Sequence, residues 1–124
     1  MKNVEIYLCP QYREENSHFE WRCHFTESVI GDEIYYRVDI PISGCCIGPN
    51  IHTDASKRLD PLPQVHIGKK CDYILTIRDD DIARQLVDSV NGCEGISAKA
   101  VECYSSREIN ELPLATPAFS APQK

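Results

Sequence analysis

The feature that most constrains this chain is a strict alternation of apolar and polar side chains between residues 18 and 42. His18–Thr26 and Glu33–Ile42 both repeat with a period of about two residues, which is typical of half-buried β-strands. The apolar members are Phe19, Trp21, Cys23 and Phe25 in the first run and Ile34, Tyr36, Val38 and Ile40 in the second. Because the linker 27–32 is short and contains Gly31, we predict an antiparallel hairpin with one buried and one charged face.

Weaker patterns predict the remaining strands and loops. Three further strands are predicted, over 3–9, 71–77 and 95–104. Gln11–Ser17 is polar and follows Pro10, which cannot donate a hydrogen bond to a sheet, so this stretch is predicted to be a loop. Residues 43–70 are rich in Gly and Pro and are predicted to be a long irregular segment, with a short edge strand at Val65-His66-Ile67.

An amphipathic helix is predicted directly after the acidic run Asp79-Asp80-Asp81. Ile82, Leu86 and Val90 recur at the spacing that places them on one face of a helix. The acidic run can cap the free N–H groups at the start, and Gly92 is expected to end the helix in the left-handed conformation. A helix between the strands 71–77 and 95–104 makes a right-handed crossover, so these strands should run parallel.

These elements indicate an α+β fold. We expect a mixed, mostly antiparallel sheet of about five strands with one helix packed on one face, in the order β-β-β-loop-β-α-β. The chain of 124 residues has the length of one domain. Residues 1–112 are predicted to form it, and 113–124, which contain three prolines, are predicted to be a flexible C-terminal tail.

The charge balance indicates the kind of partner. The formal net charge is −6, whereas a nucleic-acid-binding protein normally carries a surplus of Lys and Arg. We therefore expect no direct nucleic-acid binding and favour a protein partner with a basic surface. The sequence has no apolar run of the roughly 20 residues that a membrane helix requires, so no membrane association is expected.

The cysteines and the N-terminus indicate the compartment. The start Met1–Glu5 lacks the apolar core of a signal peptide, so a soluble cytoplasmic protein is expected. Seven cysteines are many for this length, and the odd number excludes complete intrachain pairing. In a reducing compartment they are expected to be free thiols that serve mostly as small buried residues.

The strongest candidates for metal or thiol chemistry lie in the 43–70 segment. The available groups are Cys45, Cys46, His52 and His66, with Cys71 close by. No pair of cysteines has the CxxC spacing of a structural zinc site, and no local feature favours a reactive thiolate. We therefore expect no cofactor and no catalytic residue, with these four residues kept as the alternative metal site.

Two other patterns have structural explanations. The acidic run Asp79-Asp80-Asp81 lacks the alternating spacing of a calcium loop and is explained by helix capping. Gly44 and Gly48 do not fit the spacing of either common phosphate loop. The basic pairs Lys57-Arg58 and Lys69-Lys70 could contact an anion, although each is also typical of a solvated loop.

The charged face of the hairpin is the best candidate for a binding surface. Its mixture of Tyr, Arg and charged groups resembles the composition of protein-recognition surfaces, although ordinary exposed sheet faces share it. The candidate binding residues, including the basic pair from the long segment, are Arg22, His24, Tyr35, Arg37, Lys57 and Arg58.

The expected function follows from size, charge and the absence of a catalytic pattern. We expect a small acidic binding protein that docks on a larger macromolecule and inhibits or regulates it, as inhibitors, immunity proteins and anti-defence proteins do. The alternative is a small thiol- or metal-dependent enzyme or ligand-binding domain that uses the 43–70 loop. A homo-oligomer formed through the charged face or an exposed strand edge is a further possibility.

Overall fold

The computed structural model describes residues 1–116, which form two antiparallel sheets and three helices. A single 3-10 turn covers Ala55–Lys57. The strands are β1 (Lys2–Leu8), β2 (His24–Ile30), β3 (Glu33–Ile42), β4 (Cys45–Ile47), β5 (Asn50–Asp54), β6 (His66–Ile67), β7 (Tyr73–Ile77) and β8 (Ile96–Val101), and the helices are α1 (Pro10–Asn16), α2 (Asp80–Asn91) and α3 (Ser106–Asn110).

Sheet one has the strand order β6-β7-β1-β8, with every hydrogen-bonded pair antiparallel. Because β7 and β8 both pair antiparallel with β1, they run parallel to each other, as the crossover through α2 predicts. They do not pair directly, since β1 lies between them at the centre of the sheet.

Sheet two is built around the long strand β3. The strand β2 pairs along one edge of β3, while β4 and β5 share the other edge. The hairpin between β2 and β3 closes on Gly31 and Asp32, because Ile30 pairs directly with Glu33. Gly31 has φ 63°, which a two-residue hairpin turn favours and which glycine adopts without strain.

One apolar core joins the two sheets and α2. The buried members of β3 are Ile34, Tyr36, Val38 and Ile40, as the alternation predicts. They share the core with one face of β1 and with the apolar stripe of α2, whose Ile82, Leu86 and Val90 are fully buried. The α+β class is therefore confirmed, with the strands divided between two sheets and with two short helices besides α2.

Two local assignments before the hairpin are wrong. The stretch 11–17 is largely helical, because Pro10 occupies the first turn of α1, where its missing N–H costs nothing. The strand β2 begins at His24 rather than at His18, because the chain turns after α1. The side chain of Asn16 stabilises this turn by donating a hydrogen bond to the carbonyl of Arg22. Trp21 therefore does not share the buried face with Phe25; its ring lies 5.6 Å from that of His24.

The segment 43–70 is more regular than predicted. It contributes β4 and β5 to sheet two and β6 to the edge of sheet one, and the last of these matches the predicted edge strand. The strands β4 and β5 are too short for their patterns to stand out from the irregular chain around them. At the end of α2, the predicted left-handed conformation of Gly92 is wrong. Its φ is −80°, so it continues the helical conformation for one residue.

The first residues of the predicted tail are held by both sheets. Leu114 bridges to His66, Ala115 N–H donates to the carbonyl of Val65, and the Thr116 hydroxyl donates to the carbonyl of Cys23. The rest of the predicted tail, 117–124, lies outside the described residues. Among the residues that the structure describes, no helix is long and apolar enough to cross a membrane.

Candidate binding surface

The outward-facing side of sheet two, called here the outer face, is the candidate site. Residues directly opposite one another in an antiparallel pair point to the same side. The register therefore places His24 beside Asp39, Thr26 beside Arg37 and Tyr35 beside His52. The full set is His24, Thr26, Ser28 and Ile30 from β2, Glu33, Tyr35, Arg37 and Asp39 from β3, and Asn50, His52 and Asp54 from β5.

Two aromatic pairs stand on the outer face. The rings of Tyr35 and His52 have centroids 4.9 Å apart, and the imidazole of His52 also contacts the carboxylate of Glu33. At the start of β2, the rings of Trp21 and His24 have centroids 5.6 Å apart. Both histidines are exposed, so each pair presents an aromatic surface to solvent.

Arg37 and Asp39 form an incompletely satisfied pair between the two aromatic pairs. Arg37 Nε lies 3.5 Å from Asp39 Oδ1, and both atoms are shielded from solvent with no hydrogen-bond partner within the described part of the chain. Partial loss of hydration, and next to it the Asp39 carboxylate, raise the pKa of the exposed Cys46 thiol on the adjoining β4. That thiol therefore stays protonated at neutral pH and is a poor nucleophile.

The outer face is acidic, and no segment among residues 1–116 covers it. Its three carboxylates, on Glu33, Asp39 and Asp54, outnumber the single guanidinium of Arg37. All of its side chains are exposed or half-buried. The opposite surface of the molecule differs, because the outward side of sheet one packs against Ile109 of α3 and its flanking residues.

The structure brings together half of the predicted binding residues. His24, Tyr35 and Arg37 lie on the outer face. Lys57 and Arg58 lie on the other side of sheet two, where they pair with Asp81 of α2 at 3.0 Å and with Glu27 of β2 at 2.9 Å. Arg22 precedes β2 and lines a separate cavity.

The alternative metal residues are dispersed. Cys45 and Cys46 lie on β4 and His52 on β5, whereas His66 is buried in sheet one with Nδ1 at 3.1 Å from the carbonyl oxygen of Leu112. Within residues 1–116, no group of three Cys, His, Asp or Glu side chains is arranged to hold a metal ion. All seven cysteines are free thiols. Burial raises the pKa of the Cys71 thiol to about 12.

Sequence reasoning missed the contribution of β5 to the surface. The sequence predicts His52 only as a metal or enzyme group and does not predict a role for Asn50 or Asp54. The signal was present, because Ile51 and Thr53 are buried and alternate with exposed Asn50, His52 and Asp54. A five-residue alternation inside a segment rich in Gly and Pro does not stand out from the irregular chain around it.

Comparison with known proteins finds no match, since no protein-family model, no curated protein and no solved structure is significantly similar to this chain.

Proposed function

We propose that this protein is a non-enzymatic binding protein that docks on a basic surface of a larger protein through the outer face of sheet two. The observation that carries the proposal is the contrast between the two sheets. Within residues 1–116, α3 and its flanking residues cover the outward side of sheet one, whereas no described segment covers the aromatic and acidic outer face of sheet two.

The aromatic pairs supply the anchors. Tyr35 and Trp21 are half-buried and each contacts a histidine ring, so their orientation is largely set before binding. Large aromatic side chains lose little conformational entropy on binding and are enriched among the residues that dominate protein–protein affinity. Tyr35, on the central strand of sheet two between Ser28 of β2 and His52 of β5, is the expected centre of the interface.

The carboxylates of the outer face attract a basic partner electrostatically. A face with three carboxylates and one guanidinium, on a chain of net charge −6, attracts a basic surface and accelerates association at low salt. Arg37 and Asp39 add specificity, because their opposite charges stand side by side on the outer face and a partner must match both.

Inhibition or regulation is the consequence that we infer from docking. An acidic face on a small rigid sheet occupies the basic surface to which it binds, and so excludes other acidic ligands from that surface. The proposed role is therefore that of an inhibitor or regulator of a larger macromolecule.

Carbodiimide cross-linking tests the proposal, because it joins carboxylates to partner lysines without a spacer. Tagged wild-type protein is cross-linked in lysate and compared with a His24→Ala/Tyr35→Ser double variant. The matched control is Arg84→Ala/Asp88→Ala on the exposed side of α2. We expect a basic protein whose cross-links map to Glu33 or Asp54, and whose capture the outer-face variant loses while the control retains it.

The proposal is overturned if the outer-face variant, with an unchanged circular dichroism spectrum, captures the same proteins as the wild type. Cross-links that map to other parts of the chain would likewise contradict it. Raising the salt concentration should reduce the yield, since steering between exposed charges is screened beyond about 10 Å at 0.1 M salt.

A further inference from the structure

A second site lies at the junction of α1, the end of β1 and the loop 68–72. It is a cavity of about 220 Å³ lined by Arg13, Arg22, Asn16, Asp72 and Tyr73 among others. It is separate from the outer face, and the inference drawn from it does not depend on the docking proposal.

The cavity is basic although the protein is acidic. Within residues 1–116, four Lys or Arg side chains have no carboxylate within 4.0 Å, namely Arg22, Lys69, Lys70 and Arg78. Arg22 lines the cavity, and Lys69 and Lys70 follow Gly68, which also lines it. Lys69 itself lines a smaller adjoining cavity together with Glu108 and Glu111.

The one carboxylate in the cavity is already neutralised. Asp72 accepts hydrogen bonds from Arg13 Nε at 2.8 Å, from Arg13 Nη2 at 3.3 Å and from the N–H of Leu8 at 2.8 Å. Arg13 and Asp72 therefore cancel each other's charge. The guanidinium of Arg22 is left as the uncompensated charge at the cavity wall.

Arg22 is held in position by its backbone. Its N–H donates to the carbonyl of Ala115 at 2.9 Å, and its carbonyl accepts from Nδ2 of Asn16 at 3.0 Å. Asn16 is 1% exposed and also accepts a hydrogen bond from the Tyr73 hydroxyl, so the floor of the cavity is rigid and fully bonded.

The guanidinium of Arg22 has free donors. Its only hydrogen bond within the described residues runs from Nε to the carbonyl of Phe19, at 3.4 Å. Nη1 and Nη2 donate to no acceptor there. A planar fork of unused donors on a fixed backbone is the arrangement that binds an oxyanion through two parallel hydrogen bonds.

We propose that this cavity binds a small tetrahedral oxyanion, a phosphate or the phosphate group of a small phosphomonoester. Nη1 and Nη2 of Arg22 donate to two of its oxygens, since Arg22 is the one cation lining the cavity that no carboxylate neutralises. A phosphate group presents two oxygens to the guanidinium fork at once and supplies the negative charge that Arg22 lacks. The volume of about 220 Å³ admits such a group.

Titration of ¹⁵N-labelled protein with inorganic phosphate, at constant ionic strength, tests the assignment. We expect saturable shifts of the amide signals of Arg22 and of the loop 68–72. Arg22→Gln should weaken binding by about tenfold or more, because it removes both the charge and the fork. Arg78→Gln is the matched control, since Arg78 also lacks a carboxylate partner but lies outside the cavity, and it should leave the affinity unchanged.

Two further arms identify the ligand. Glycerol 2-phosphate in place of inorganic phosphate shows whether an ester or the free ion is preferred, and acetate tests whether any anion suffices. Arg22→Lys keeps the charge without the fork and should weaken binding by less than Arg22→Gln. The proposal is overturned if shifts do not saturate by about 20 mM phosphate, if both Arg22 variants bind like the wild type, or if acetate binds as tightly.

Discussion

The phenol of Tyr104 donates a hydrogen bond of 2.9 Å to Oε2 of Glu5, across 99 residues of sequence. The other carboxylate oxygen accepts from the Tyr7 hydroxyl at 2.7 Å, and Lys99 Nζ lies 3.9 Å away. Glu5 is only 5% exposed, so a buried charge is compensated by two phenols and one amine. Through this contact the segment before α3 is fastened to the outward side of sheet one.

Replacing Tyr104 by Phe should therefore destabilise the protein. The variant loses a hydrogen bond to a buried charged group, so we expect the free energy of unfolding to fall by about 1.5–3 kcal/mol in urea denaturation. Tyr12→Phe is the control, because the Tyr12 hydroxyl makes no hydrogen bond within the described residues, and its effect should stay within about 0.5 kcal/mol. Equal losses in the two variants would show that the bond to Glu5 contributes nothing.

Stability should fall at alkaline pH through the same contact. The hydrogen bond to Glu5, followed by burial, raises the pKa of Tyr104 to about 12. The unfolded value is about 10, so the folded state keeps its proton where the unfolded state loses it. The contribution is complete below about pH 10 and is lost as the pH rises towards 12.

Denaturation at several pH values, with tyrosinate absorbance at 295 nm as a second readout, measures this dependence. Tyr104→Phe should show a weaker loss of stability between about pH 10 and 12 than the wild type. Burial and the bond to Glu5 also raise the pKa of Tyr7, so part of the dependence should remain in that variant. An identical pH dependence in the two proteins would contradict the assignment.

The elements that could be predicted from the sequence are those with a strong local pattern. Eight residues of β3, Glu33 to Ile40, alternate without interruption, and α2 combines an apolar stripe with a capping Asp79, so both were predicted close to their observed bounds. The start of β2 could not be predicted, because the alternation continues into a turn that tertiary contacts of Asn16 hold in place. The short helix α1 and the strands β4 and β5 depend on similar long-range contacts.

In the candidate site, too, residues with a local sequence pattern could be placed, whereas residues positioned by long-range contacts could not. His24, Tyr35 and Arg37 could be placed on one face because strand periodicity and hairpin register determine their direction. Lys57 and Arg58 sit in a connecting segment, where the direction of a side chain depends on partners distant in sequence, here Asp81 and Glu27. The anion cavity assembles four separate segments, and no local pattern marks it.

Asn16 links these segments, and its replacement by Ala should be strongly destabilising. Its Nδ2 donates to the carbonyls of Arg22 at 3.0 Å and Pro41 at 2.6 Å, and its Oδ1 accepts from the Tyr73 hydroxyl. Removing the amide leaves three polar groups without partners in a buried site, which costs about 2–4 kcal/mol. Urea denaturation followed by the fluorescence of the single Trp21 measures the loss.

Asn50→Ala is the control for Asn16, because Asn50 is exposed on the outer face. Its effect should stay within about 0.5 kcal/mol. A loss for Asn16→Ala no larger than that of the control would mean that the amide does not organise the junction.

The cap of α2 makes a smaller contribution. Asp79 Oδ1 accepts hydrogen bonds from the N–H groups of Asp81 at 2.9 Å and Ile82 at 3.0 Å. Asp79→Ala should lower the free energy of unfolding by about 1 kcal/mol. Asp88→Ala, which removes the same charge from an exposed position near the end of the helix, should leave stability unchanged or slightly raised. If thermal denaturation shows the same shift in the unfolding temperature for both variants, a capping role for Asp79 is excluded.

Two glycines near β4 should respond differently to replacement by Ala. Gly48 has φ 139°, and a Cβ there would lie 1.6 Å from the carbonyl oxygen of Val38 on β3. Gly44 has φ 89°, but a Cβ there would meet no atom within 4 Å. Gly44→Ala should thus cost only the backbone strain of about 1–2 kcal/mol, whereas Gly48→Ala adds a clash with the strand and should cost about 3–5 kcal/mol.

Urea denaturation of the two glycine variants separates the two costs. Because β3 carries Tyr35, Arg37 and Asp39 on the outer face, displacement of Val38 by the Gly48→Ala clash should also shift the amide signals of those three residues. Gly44→Ala should leave these signals in place, since its side chain points into open space. Two outcomes would contradict this account: equal destabilisation by the two variants, or undisturbed β3 signals in Gly48→Ala. Either would mean that the backbone of Gly48 does not lie so close to Val38 that a Cβ would be 1.6 Å from its carbonyl oxygen.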